Sequence, residues 1–76
     1  MIKEHERAVL NTDVPAEGLK AGDVGTVVHI YKDAKACEME FVTLDGQTAA
    51  VVTLEMDQIR PVKPREIPHA RHLAVA

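Results

Sequence analysis

Apolar and polar residues alternate most cleanly between positions 36 and 43. Cys37, Met39 and Phe41 fall on one side, Glu38 and Glu40 on the other. A period of two predicts a strand with one buried and one wet face. Upstream, Gly25 to Tyr31 is mostly β-branched or aromatic, which suits a pleated, half-buried surface and predicts a strand over 25–31. It follows the turn Lys20-Ala21-Gly22-Asp23-Val24, on which the chain is organised. There Gly22 and Gly25 allow positive φ or close backbone approach, and Asp23 can hydrogen-bond its own backbone.

The remaining elements can be read around these two. Arg7 to Asn11 is a short first strand, broken by Asn11, Asp13 and Pro15. Residues 12–22 form a connection longer than the usual 4–6 residues, with Leu19 as its anchor into the core and Asp13 and Glu17 in solvent. Lys32 to Lys35 is a polar turn. Asp45-Gly46 predicts a two-residue type I′ hairpin. The strand over 47–54 departs from alternation: Ala50, Val52 and Leu54 fill one face, while Ala49 and Val51 make the other apolar too. Glu55 to Gln58 reads as a 3₁₀ turn. Ile59 to Val62 reads as a last strand that Pro61 confines to an edge or an end. Five short strands, one long connection and a 3₁₀ turn before the last strand predict an all-β fold. It is a small, strongly bent, five-stranded SH3-like barrel over 1–62.

Residues 63–76 differ in character. Pro68 suits the first turn of a helix, and Ala70, Leu73 and Ala74 would share a face at helical spacing. Nine residues are too few for a stable isolated helix, so this tail either docks or frays. Leu73 could then cover Ala49 and Val51; otherwise another protein chain would, and in either case the pair is expected to be shielded from water.

With 76 residues the chain supports one domain and a small core. No apolar run approaches the roughly 18 residues of a membrane span. The segment Met1 to Arg7 lacks the apolar stretch of a signal peptide. A single cysteine, Cys37, allows no internal disulfide and fits a reduced, cytoplasmic protein. The net charge of −3 is uneven: residues 1–62 carry −5 and residues 63–76 carry +2. An acidic body repels phosphate backbones, so nucleic acid is an unfavourable partner.

Several segments together resemble a family of small bacterial proteins known only as a domain of unknown function. They are Glu17-Gly18-Leu19-Lys20-Ala21-Gly22-Asp23-Val24-Gly25-Thr26-Val27-Val28, Glu38-Met39-Glu40-Phe41-Val42, Val52-Thr53-Leu54 and Gln58-Ile59-Arg60-Pro61-Val62. The resemblance covers residues 3–62. It implies an SH3-like barrel and carries no catalytic residues. Members are often encoded beside another small protein, sometimes suspected to be toxin-like, which implies a protein partner from an adjacent gene. Cys37 stands where an aromatic residue is expected, which weakens any aromatic binding surface there. Gly22-Asp23-Val24-Gly25-Thr26-Val27 also resembles, more loosely, the KOW motif of ribosomal and transcription proteins.

Candidate chemistry is sparse. His69 and His72 would share a helix face, but no Cys or His pair completes a tetrahedral site with them, so no metal or cofactor is expected. There is no serine, and Cys37 alternates with core residues, so no activated nucleophile is visible and no enzyme is expected. Glu38 and Glu40 share an outward face that would attract a basic partner. Tyr31 and Phe41 are too few aromatic residues for a proline-rich peptide groove or for base stacking. The best expectation is a non-enzymatic module that binds a protein partner through Glu38, Glu40, Ala49, Val51 and Leu73, in an antitoxin-like or scaffolding role. A KOW-like RNA-binding or ribosome-associated module is the alternative, and homo-oligomerisation stays open.

Overall fold

The computed structural model describes residues 1–73. Its five strands are β1 (Arg7–Leu10), β2 (Val24–Ile30), β3 (Ala36–Val42), β4 (Thr48–Glu55) and β5 (Ile59–Pro61). All neighbours are antiparallel, and the sheet order is β4-β3-β2-β1-β5. The all-β expectation and each predicted strand are borne out to within a residue or so at the ends. Among the described residues no ladder joins β4 to β5. The sheet nonetheless bends around one core, because Leu54 of β4 and Ile59 of β5 belong to the same buried cluster.

The buried face follows the alternation. Cys37, Met39 and Phe41 from β3 meet Ala50, Val52 and Leu54 from β4, with Ala8 and Leu10 from β1 and Val27 from β2. Leu19 anchors the first connection, 3 % exposed, as expected. Ile2 also enters the core, a role its place near the N-terminus did not signal. The backbone just after it is tied to β2, His5 N–H donating to Val27 O and Val27 N–H to Glu6 O.

The Lys20–Asp23 turn forms as the residues dictate. Lys20 N–H donates to Asp23 Oδ2 at 2.8 Å, and Gly22 takes φ +94°. Gly25 is needed for close approach rather than for its φ. A Cβ there would lie 2.8 Å from Met39 Cε and Phe41 Cε2 and 2.9 Å from Glu40 O.

Three details differ from the sequence expectation. Along β2 the register shifts between Val27 and His29, where Val27 faces Met39 and His29 faces Glu38. The extra residue, Val28, lets Val27 and Ile30 both turn inward and sends His29 outward, as a bulge does. At the β3–β4 hairpin only Gly46 has positive φ, so the turn is not type I′. Gly46 N–H donates to Thr43 O and Thr43 N–H to Gln47 O, which closes a three-residue loop over 44–46. Thr43 Oγ1 stabilises it by bonding Asp45 and by accepting the Gln47 N–H.

The tail is not a helix over 68–73; Ala74 lies outside the described residues. Charge fastens it instead. Arg60 donates to both oxygens of Glu66, at 2.9 and 2.7 Å, and Lys63 N–H donates to Glu66 Oε1. Arg71 donates to both oxygens of Asp23 and to Gly18 O. The basic tail is thus clamped to the acidic body at two points, on β5 and just before β2. Val9 of β1 lies between them, paired with Arg60 on one side and Val24 on the other. Its neighbours Ala8 and Leu10 face the core, so Val9 faces the other way, yet it is only 4 % exposed.

Candidate protein-interaction face

The outward face of β2, β3 and β4 carries the polar residues of the alternating pattern. The β3–β4 register sets Glu38 opposite Thr53 and Glu40 opposite Val51, and β2 adds Thr26 opposite Glu40 and His29 opposite Glu38. Two rows of side chains therefore run across the strands.

Glu38 is the centre of the first row. Its Oε2 accepts hydrogen bonds from Thr53 Oγ1 and Tyr31 Oη, each at 2.5 Å. The Thr53 bond first, and the Tyr31 bond next, hold the Glu38 carboxyl below its ordinary value. The same Glu38 bond raises the Tyr31 phenol above its ordinary value. The Tyr31 and His29 rings meet edge-on, with centroids 4.9 Å apart and planes at 87°. His29 Nδ1 lies 3.4 Å from Glu4 Oε2, which also accepts the Ile30 N–H. His29 and Tyr31 border a shallow, open hollow completed by Lys32, Asp33 and Ala36. In the second row Glu40 accepts from Thr48 Oγ1 at 2.8 Å.

The β2 bulge builds this cluster. Without Val28 as the extra residue, His29 would point into the core and could not meet Tyr31 on the outer face. Sequence reading singled out Glu38 and Glu40 but did not join Tyr31, His29 and Thr53 to them. The usable signal was that Tyr31 and Glu38 lie on either side of one short turn.

The expected binding residues are not all brought together. Glu38, Glu40 and Val51 share the outer face, but Val51 is not shielded: it is 55 % exposed. Ala49, half-buried, lies at the second irregularity, where the register steps from Phe41–Ala50 to Val42–Thr48. Leu73 does not cover Val51. It packs against the core cluster, with Arg71 two residues before it held at Asp23. The tail therefore serves the β1–β2 side of the sheet and leaves the β4 face bare.

Elsewhere the chemistry is plain. Cys37 is fully buried, and that burial, with Glu38 nearby, pushes its thiol up. His69 and His72 are exposed in a non-helical segment and share no helix face. Among the described residues no three His, Cys, Asp or Glu side chains gather in a way that could hold a metal ion. No helix there is long and apolar enough to cross a membrane.

A small all-β domain with one polar, partly apolar outer face is thus the class that fold and surface define. The family follows from the sequence match: residues 4–61 fit the model of a domain of unknown function, DUF4926, and the chain belongs to that family. No curated protein and no solved structure matches it significantly.

Proposed function

We propose that this chain is a non-enzymatic protein-interaction module on an SH3-like frame. Its β2–β4 outer face takes a basic segment of a protein partner. One observation carries the reading: Glu38 and Glu40 stand on that face beside exposed Val51 and Tyr31, and the basic tail is docked elsewhere. An apolar patch set among carboxylates suits a protein interface better than a solvated face alone. Glu38 is held charged and oriented by Tyr31 and Thr53, so little ordering is needed when a cation arrives. The strand order β4-β3-β2-β1-β5 supports the SH3-like frame. A bacterial, cytoplasmic setting and an antitoxin-like or scaffolding role belong to the same reading. RNA would meet carboxylates on this face, which disfavours the KOW-like alternative.

The test mixes the chain with the product of the neighbouring gene and measures mass by size-exclusion chromatography with light scattering. A mixed complex that weakens with salt, and about tenfold with Glu40→Lys, supports the reading. No mixed complex, or one indifferent to Glu40→Lys, overturns it.

A further inference from the structure

We propose that β4 is the two-fold interface of a homodimer, pairing antiparallel with β4 of a second copy about Val51. The argument begins with the two sheet edges. β5 has three residues and ends in Pro61, the usual protection against strand pairing. β4 has eight residues, no proline, and no charged side chain anywhere from Gly46 to Leu54. A long, neutral, β-branched edge is a template for another strand.

The hydrogen-bond phase of β4 singles out the register. Met56 N–H donates to Lys35 O, and residues opposite one another in an antiparallel ladder exchange bonds at every second position. Leu54, Val52 and Ala50 accordingly direct their N–H and C=O groups at β3, opposite Cys37, Met39 and Phe41. Val51 and Thr53 direct theirs out of the sheet, where β4, as an edge, has no neighbouring strand among the described residues. Glu55, next in this series, is already satisfied, its N–H donating to Gln58 Oε1 at 2.8 Å.

A two-fold axis through Val51, normal to the sheet, pairs these open groups with their own copies. It keeps the core faces on one side and the outer faces on the other. Val51 meets Val51 of the second copy, Thr53 reaches Ala49, where the β4 bulge ends the ladder, and Glu55 lies toward the neutral Gln47, so no like charges are opposed along the strand itself. Beyond the strand the same register sets the hairpin tip, with Asp45, toward the Met56–Gln58 turn of the second copy, with Asp57, so the dimer should tighten as salt rises. The neutral strand is self-complementary, which makes a second copy the fitting occupant. Pairing would also join two acidic outer faces into one surface. A ladder this short buries less than a standard interface, so dissociation in the micromolar range is expected.

The chain alone, without any other protein, tests this independently of the partner reading. Sedimentation and light scattering are run from about 5 to about 500 µM. The mass should rise from 8.3 kDa toward twice that value. Val51→Lys and Val51→Glu, at an exposed side chain, should each stay monomeric through like-charge repulsion across the axis. Mixing the two variants should restore the dimer. Amide exchange should slow at Val51 and Thr53 as concentration rises. A wild-type chain that stays at 8.3 kDa overturns the proposal, as does failure of the mixed variants to associate.

Discussion

Arg71 Nε donates to Asp23 Oδ1 at 2.9 Å, joining residues 48 positions apart. The contact fastens the tail to the turn that precedes β2, and Asp23 Oδ2 holds that turn together by accepting the Lys20 N–H. Asp23 therefore serves two structures at once.

Burial pushes the Asp23 carboxyl up. The Arg71 hydrogen bond, the Lys20 N–H and the charges of Arg71 and Lys20 outweigh it and hold the group below its ordinary 3.8. A depressed folded value means stability that is present above pH 3.8 and lost as pH falls through the folded value. Asp23→Asn should flatten the acid limb of thermal stability below that pH. Arg71→Ala should lower Tm by a few degrees at neutral pH and bring Asp23 back toward 3.8 in an NMR titration.

Glu66 is shifted further, from 4.5 to about 2, first by the Arg60 hydrogen bond and then by the Lys63 N–H. The tail's first clamp should accordingly survive to low pH and open between pH 4.5 and 2. NMR titration of the Glu66 side chain should give a midpoint near 2, moving up toward 4.5 in Arg60→Gln.

Gly25→Ala should be among the most damaging small changes. The new methyl would meet two core side chains and the Glu40 carbonyl, and the carbonyl belongs to a ladder that cannot yield. A loss of about 2 kcal/mol is expected in denaturant unfolding.

Tyr31 should ionise above its ordinary 10.0, because the neutral hydroxyl donates a hydrogen bond to Glu38 that deprotonation removes. Glu38→Gln should bring the phenolate absorbance midpoint down toward 10.0. An unchanged midpoint would mean that the Tyr31–Glu38 bond does not persist in solution.

Cys37 should react slowly with thiol reagents while the chain is folded and rapidly once it unfolds. It has no exposed surface, and burial disfavours its thiolate. Labelling rates measured against denaturant concentration check this.

The alternation of Cys37, Met39 and Phe41 with Glu38 and Glu40 was enough to orient β3. The residue types of the Gly22–Gly25 turn were enough to place the start of β2. Both are local matters, settled by side-chain period and backbone freedom. The β2 bulge, by contrast, has no residue-type signature, because Val27, Val28 and Ile30 are interchangeable as β-branched residues. Only the pairing with Met39 and Glu38 decided which of them turn inward, and with that the outward placing of His29 beside Tyr31.

The tail shows the same division. Its sequence determined a basic segment attached to an acidic body, and Pro68 left room for a helix of only nine residues. Helical spacing suggested a face, but isolated spacing has little force against the two ion pairs that fasten the tail. Fold, core and acidic outer face were thus properties of the chain's own order. Where Arg71 docks, what Leu73 covers and which edge is left open depended on residues up to 53 positions apart, and such contacts exist only once the sheet has closed around its core.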